Sequence, residues 1–446
     1  MYLKNTSFLV LGMQKSGICA TNFLLSNGAK VFVYDDGVSE SVKKNIKEAE
    51  SLGAKICSEP FMQVEYVDVL VLSPAVPVDH KVAVRARELN KRIIGEFELA
   101  SNFTTNLVVA VTGTNGKTTT CSLIDYVLNK AEMSSLLVGN VGIPFTSKIA
   151  DAKSDDIFVA EVSSFQLETV NRFCPHIACI LNITPDHLNR HYNMENYVYL
   201  KSKLILNLRE SEFAVLNFDD ELVKQLSKKT RAKVVWFSLK EKVDGAYLED
   251  EFIYYKGEII ASVKDIQISG EHNVENVLAS VCVLKLLGLS NSEILEGIKT
   301  FSGVKHRVQK VRTLNGITYY NDSKSTNANS CKRAVESVKE PTILIMGGYD
   351  KGLNYEDLML TIKGNENIKK IILTGQSSKN MYAYAVNCGI DEISVVKDFS
   401  LAVHLASSMA KSGYSVLLSP ATSSFDEFGS FEERGDKFIE IVEKLQ

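Results

Sequence analysis

The stretch Leu107-Val108-Val109-Ala110-Val111-Thr112-Gly113-Thr114-Asn115-Gly116-Lys117-Thr118-Thr119 decides how the chain is read. Its apolar run from Leu107 to Val111 suits a buried strand, and Cys121 to Leu128 suits a helix. Strand, glycine-rich turn and helix together aim backbone N–H groups and a helix N-terminus at a phosphate. Glycine admits close approach of oxygen atoms, Lys117 supplies a point charge, and the Thr118 hydroxyl suits a magnesium ion. Only Thr114 and Asn115 separate the two glycines, fewer residues than the common phosphate loop carries.

On the N-terminal side, Ser7 to Leu11 reads as a strand, followed by Gly12-Met13-Gln14-Lys15-Ser16-Gly17 and a helix from Ile18 to Ser26. A second strand, Lys30 to Tyr34, ends at Asp35-Asp36. This is a nucleotide-binding βαβ start, with an acidic residue where a ribose hydroxyl would be read. Gln14 replaces the middle glycine of the dinucleotide fingerprint, which argues against a dehydrogenase. Val67 to Leu72 closes on Ser73-Pro74, a polar turn at a strand's carboxyl end, where α/β sheets bind ligands.

Beyond the phosphate loop, Leu136 to Val138 leads into the turn-rich segment from Gly139-Asn140 to Pro144. Ile157 to Ala160 runs into Glu161-Val162-Ser163-Ser164-Phe165-Gln166. A carboxylate directly after an apolar strand is well placed for magnesium, the alternative being a solvated strand end. Ala178 to Leu181 precedes Asn182-Ile183-Thr184-Pro185-Asp186-His187, where His187 is either a site residue or structural. Asn196 to Leu208 reads as a helix carrying Lys201 and Lys203, for which periodicity says only a solvated face. Short β-rich stretches occupy residues 230–268, and Gly270-Glu271-His272-Asn273 opens a long apolar helix, Val277 to Leu287.

In the last third, the strands Thr318 to Tyr320, Thr342 to Met346, Lys370 to Leu373 and Ser415 to Leu418 each close on small polar residues. Strands alternating with helical stretches make a parallel, doubly wound sheet with its site at the carboxyl edge. The reading is therefore α/β with three domains, 1–99, 100–302 and 303–446.

Composition narrows the class. The 446 residues are 45% hydrophobic and 23% charged, ordinary for a chain with a full core. A net charge of -4 argues against nucleic-acid binding, which needs a basic stripe. Eight cysteines without a Cys-x-x-Cys pair point to neither a disulfide framework nor a zinc site. No signal-peptide layout and no apolar run of roughly 18 residues is present, so a cytoplasmic protein away from the membrane is expected.

Taken together, the motifs resemble the Mur ligase superfamily over the full length. The resemblance rests on residues 113–118, on Glu161-Val162-Ser163-Ser164-Phe165-Gln166-Leu167-Glu168 and on Gly270-Glu271-His272-Asn273. It continues through His306-Arg307 and Asn321-Asp322-Ser323-Lys324-Ser325-Thr326-Asn327 to Leu418-Ser419-Pro420-Ala421. The superfamily's own phosphate loop is the short form seen here. The Ser-Phe-Gln-Leu-Glu and Asn-Asp-Ser-Lys runs resemble the member that adds D-glutamate to UDP-N-acetylmuramoyl-L-alanine, rather than a sister ligase such as folylpolyglutamate synthase.

The resemblance implies that the three domains are Rossmann-like, phosphate-loop ATPase-like with a mostly parallel sheet, and Rossmann-like in turn. It implies ATP-dependent amide formation through an acyl phosphate, with two magnesium ions and a monomeric enzyme. It assigns the phosphates to Gly113, Thr114, Asn115, Gly116, Lys117, Thr118 and Thr119, and the remainder of the nucleotide to Asn273, Asn276, Arg307 and Asp322. UDP-sugar contacts fall on Ser16, Asp35, Ser73, Asn140, Ser163 and Gln166; Lys15 stands where the family often has an apolar residue. The first magnesium goes to Thr118 and Glu161, and the second to His187 and Lys203, a lysine that the family carbamylates. Thr326, Lys351, Ser424 and Phe431 match the D-glutamate pocket. A non-catalytic nucleotide-binding regulator is the reading from another class, and it would release no phosphate in response to substrates.

Overall fold

The computed structural model describes residues 2–140, 143–268, 270–350 and 352–446. The chain falls into two compact units that divide after Phe301. The first unit carries two sheets and the second carries one.

The first sheet is wholly parallel, in the order Lys55–Ile56, Lys30–Tyr34, Ser7–Leu11, Val69–Leu72, Arg92–Gly95. From Ser7–Leu11 the chain proceeds to one side, and from Val69–Leu72 to the other. The crevice between these two strands is thus a switch point, the usual ligand position in an open α/β sheet. Gly12 and Ser73 sit there.

The central sheet has nine strands. Its middle strand is Val108–Thr112, flanked by Ile157–Glu161 and Ile177–Ile180 in parallel register. Every residue of Val108–Thr112 is buried, because the two faces feed two different cores. Val109 and Val111 pack with Cys121, Ile124 and Leu278 from the helices Lys117–Lys130 and Glu271–Leu286. Val108 and Ala110 pack with Tyr197, Leu204 and Ile205 of the helix Met194–Leu206. A strand covered on both faces reads as a continuous apolar run, which is why the sequence signal is strong here. The sheet's far edge is the antiparallel meander Gly245–Glu249, Phe252–Tyr255, Glu258–Ser262, within the stretch read as β-rich.

Two buried carboxylates on the helix Glu96–Ser101 attach the first sheet's end to the central layer. Glu96 accepts from the Thr146 N–H and hydroxyl at 2.6 and 2.8 Å, and burial pushes its pKa up to about 6. Glu98 accepts the N–H groups of Asn171, Arg172 and Phe173 at 3.0–3.1 Å. Removing the shared acceptor leaves three donors unpaired, that of Phe173 buried and those of Asn171 and Arg172 in part-buried bonds, at roughly 1 kcal/mol apiece. Glu98→Ala is therefore expected to lower stability by about 3 kcal/mol, measured as the shift of the urea midpoint. A loss under about 1 kcal/mol would show that water replaces the carboxylate.

The second unit's sheet has the order Gln309–Leu314, Ile317–Asn321, Ser415–Leu418, Thr342–Gly347, Ile368–Thr374, Ile393–Val395. It is parallel except for the hairpin Gln309–Leu314 with Ile317–Asn321. The three sheets lie within the residue ranges expected for three domains.

Candidate active site

The phosphate loop leaves the central strand at Thr112 and enters the helix Lys117–Lys130. Gly116 has φ 83°, and a Cβ there would lie 2.2 Å from Asn276 Oδ1, so both the backbone and the space demand glycine. The neighbouring strand end braces the loop. Thr114 N–H donates to the Asn182 carbonyl at 2.9 Å, and Asn115 N–H donates to Asn182 Oδ1 at 2.8 Å. Lys117 curls over the loop, its Nζ donating to the carbonyls of Gly113 and Thr114 at 2.8 and 2.9 Å.

Glu161 is 1% exposed, which rules out a solvated strand end. Thr118 Oγ1 donates to its Oε2 at 2.8 Å, and Asn140 Nδ2 donates to its Oε1 at 2.7 Å. Asn276 Oδ1 accepts from the Thr120 hydroxyl at 3.3 Å, and its Nδ2 donates to Asn273 Oδ1 at 3.1 Å. Thr119 is half-buried in the helix's first turn. No cluster of three or more His, Cys, Asp or Glu poised for a metal occurs among the described residues. A magnesium ion held by one carboxylate, one hydroxyl, water and phosphate oxygens needs no such cluster, so Thr118 and Glu161 fit that donor set.

The lysine assignment changes. Lys203, read as a metal-site residue, donates its Nζ to the carbonyls of Leu167 and Glu168 at 2.8 and 3.1 Å. Its nearest charges are Glu98 and Glu168, away from the phosphate loop. Lys201, two residues earlier on the same helix, is the one that reaches the loop. It is 1% exposed and donates to the Gly113 carbonyl at 2.8 Å. Burial, with the Lys117 charge, pushes its pKa well below the usual lysine range, against the pull of Asp186 and Glu161. A two-residue step turns a side chain by roughly 200° about a helix axis. The solvated-face reading fails for Lys201, and Lys203 too is only partly exposed.

His187 has φ 54° and half-exposed, its Nε2 3.5 Å from Asp186 and its ring 4.8 Å from Phe165. The buried histidine of this segment is His191, to which sequence reasoning gave no role. Its Nε2 lies 3.0 Å from Ser164 Oγ and its Nδ1 lies 3.4 Å from Glu168. A carboxylate only accepts, so the ring proton belongs on Nδ1, and Nε2 accepts from Ser164. Burial first, then Arg190, His187 and Lys201, push the His191 pKa down from 6.5 to about 4. Between those values the unfolded chain takes up a proton that the folded chain refuses, so stability falls as pH drops through that window. The full effect is about 3 kcal/mol. His191→Gln, which still pairs with Ser164, is expected to lose about 2 kcal/mol less than the parent on going from about pH 7 to about pH 4.5. Parallel urea titrations check this, and equal acid losses in both proteins would refute it.

Ser163 and Gln166 form a capping box on the short helix Ser164–Leu167, with Ser163 N–H donating to Gln166 Oε1 at 2.9 Å. At the first sheet, Ser73 Oγ donates to the Gly12 carbonyl at 2.6 Å across the switch point. Gly12, at φ 93°, leaves no room for a Cβ beside Ser73. Asp35 accepts the N–H of Met13 in the opposing loop and that of Gly37 in its own turn. Ser16 is half-buried in the first turn of the helix Lys15–Ser26. Ser16, Asp35 and Ser73 are thus gathered at one sheet edge.

In the second unit, Asp322 is buried and accepts from Ser325 Oγ, from Ser419 Oγ at 2.7 Å and from Val308 N–H at 3.2 Å. Burial pushes its pKa up to about 6. Arg307 is exposed and its charge opposes that rise. Arg434, also without a role from the sequence, is 2% exposed. Its fork donates to Ser323 Oγ, to the Ser323 carbonyl and to the Thr422 carbonyl at 2.9–3.0 Å. Ser323 in turn donates to the Phe431 carbonyl at 2.8 Å. Arg434 therefore staples the loops bearing Thr326 and Ser424 to the helix that begins at Phe431. Ser424 Oγ is buried with no partner among the described residues. Lys351 lies outside the described residues.

A phosphate loop on a central mostly parallel sheet, in a unit that also carries a second, wholly parallel sheet, defines a nucleotide-binding α/β class of protein. The chain matches the Mur ligase middle domain over residues 111–284 and the Mur ligase glutamate ligase domain over residues 306–422. It is 41% identical, over the whole of both chains, to the UDP-N-acetylmuramoylalanine--D-glutamate ligase of Thermoanaerobacter sp. (strain X514). It is 38% identical over both full lengths to the ligase of that name from Clostridioides difficile (strain 630). The chain belongs to the Mur ligase family. Among solved structures its fold resembles MurF from Acinetobacter baumannii, with TM-score 0.61 and 15% identity over 93% of this chain and 91% of that one. It also resembles UDP-N-acetylmuramate-alanine ligase MurC from Thermotoga maritima, with TM-score 0.58 and 20% identity over 98% and 99%.

Proposed function

We propose that this protein is the ATP-dependent ligase that joins D-glutamate to UDP-N-acetylmuramoyl-L-alanine in peptidoglycan precursor synthesis. The observation that carries the reading is Glu161, buried and held by Thr118 and Asn140 at the mouth of a phosphate loop whose lysine lies over it. The names of the full-length relatives supply the substrates.

A carboxylate is a poor electrophile. Its oxygen attacks the γ-phosphorus of ATP, ADP leaves, and the D-glutamate amine then attacks the acyl phosphate carbonyl, losing a proton and expelling phosphate. The loop N–H groups and Lys117 bind and orient the phosphates. Ser16, Asp35, Ser73, Asn140, Ser163 and Gln166 are assigned to the sugar nucleotide. Asn273, Asn276, Arg307 and Asp322 are assigned to the rest of ATP, and Thr326, Lys351, Ser424 and Phe431 to D-glutamate. Magnesium, held by Thr118 and Glu161, supplies the charge that neutralises the transferring phosphoryl group. His187 stays the candidate at a second ion. Lys201, in place of Lys203, is the lysine whose buried amine, with its pKa lowered by that burial, suits addition to carbon dioxide, giving up a proton to leave an anionic carbamate. On this reading the enzyme is a cytoplasmic monomer; separately, no described helix is long and apolar enough to cross a membrane.

The test is phosphate release with a panel of amino acids. Release that requires both UDP-N-acetylmuramoyl-L-alanine and D-glutamate supports the assignment. Release with another amino acid would make the protein a sister ligase, and none at all would favour a nucleotide-binding regulator.

A further inference from the structure

One unbroken side-chain chain crosses the first unit from the Ser73 loop to the phosphate loop. Arg190 donates through Nη2 to the carbonyls of Pro74 and Val76 at 3.3 and 3.0 Å, and through Nη1 to that of Ala75 at 3.3 Å. The same guanidinium forks onto Glu168, with Nε to Oε1 at 3.0 Å and Nη2 to Oε2 at 2.6 Å. It also covers the Phe165 ring at 5.0 Å. Glu168 Oε1 faces His191 Nδ1 at 3.4 Å. The His191 ring stacks on Tyr197, with centroids 5.5 Å apart and planes 25° apart. Tyr197 OH meets Thr114 Oγ1 at 3.1 Å, inside the phosphate loop.

We propose that Arg190, Glu168 and His191 are positioning residues that tie loop 74–76 to Thr114, so that the sugar nucleotide and ATP are held at a set separation and bind cooperatively. The inference rests on the proposed ligase reading, because Ser73 and Thr114 are taken there as contacts of the two ligands. The reacting carboxylate sits at the far end of a molecule anchored on the first sheet, while the γ-phosphate is anchored on the central one. Productive attack needs the reacting atoms within about 3.5 Å, so the spacing of the two loops enters the rate directly. A planar fork that holds three carbonyls of one loop and both oxygens of one carboxylate fixes orientation as well as distance. Glu168 and His191 side chains are 5% and 1% exposed. Low exposure keeps the tie unscreened and makes a missing member costly.

The experiment measures the affinity of the full chain for ADP with magnesium, alone and with saturating UDP-N-acetylmuramoyl-L-alanine. The parent is expected to bind ADP about 5-fold or more tightly when the sugar nucleotide is present. Arg190→Met should bring that ratio close to one while each ligand alone binds nearly as before. Arg190→Lys should not restore it, since an ammonium cannot span the loop and the carboxylate together. Tyr197→Phe, which keeps the ring stack and removes only the hydroxyl, should lower the ratio part of the way and serves if Arg190→Met misfolds. A purely structural role would lower the melting temperature and the active fraction but leave the ratio intact. A parent ratio near one, or an unchanged ratio in Arg190→Met and Tyr197→Phe, overturns the proposal. Failure of the parent to bind either ligand alone would instead overturn the ligase reading beneath it.

Discussion

Lys201→Ala is expected to lower ligation by roughly 10²–10³-fold or more, the scale of losing one preorganised charged group at a phosphoryl-transfer site. The side chain is buried against the Gly113 carbonyl, and its nearest charges are Lys117, Asp186 and Glu161. Burial and the Lys117 charge lower its pKa, and under the proposed function it is the lysine that would carry the carbamate, whose anion would face the phosphates' metal. Acetate is expected to restore part of the Lys201→Ala activity by filling the vacated space with a carboxylate. Lys201→Arg should not recover, because a guanidinium stays cationic and does not form a carbamate. Lys203→Ala is the matched control. Lys203 only donates to the carbonyls of Leu167 and Glu168, so its loss should cost about 1–2 kcal/mol of stability and leave turnover within a few-fold. Steady-state phosphate release on the three variants decides the matter. An active Lys201→Arg protein, or a Lys203→Ala protein as dead as Lys201→Ala, would return the role to Lys203 or remove it.

Lys117→Ala is expected to lower ligation by a comparable factor, roughly 10²–10³, while leaving sugar-nucleotide binding nearly intact. Its Nζ lies over the loop carbonyls of Gly113 and Thr114, where a phosphate would draw it outward. Ser16, Asp35 and Ser73 gather at the edge of the first sheet, whereas Lys117 lies at the central one. Calorimetric titration of UDP-N-acetylmuramoyl-L-alanine into the variant should therefore match the parent. Loss of both activities would show that the two ligands do not use separate sheets. The substitution also removes the Lys117 charge, the lesser, after burial, of the two influences that lower the Lys201 pKa.

The strands that carry the site were legible because most are buried on both faces, Lys30–Tyr34 burying only Val31 and Val33 fully. Ser7–Leu11, Lys30–Tyr34 and Ser415–Leu418 lie where the apolar runs lie, and Val108–Thr112 is displaced by a single residue. The glycine-rich turn after Val108–Thr112 was equally legible, since its backbone geometry admits few residues. Boundaries of helices were less so: Lys117–Lys130 and Glu271–Leu286 begin earlier than their apolar residues do. Their first turns are polar, and under the proposed function they face the nucleotide.

By itself the sequence determined the parallel α/β architecture, the three sheets, the phosphate loop and the carboxylate at Glu161, because each depends on local patterning of apolar, glycine and acidic residues. It did not determine which of two lysines two positions apart faces the phosphate loop. The signal was present, since Lys201 stands four residues after Tyr197 and three before Leu204, on the stripe that the helix buries. Charge hid it, because lysine on a helix is ordinarily solvated. Only the tertiary structure decided that this stripe lies against Gly113. Only it could show Arg190, Glu168 and His191 joined across two sheets, since their meeting depends on distant segments and on burial that turns polar side chains inward.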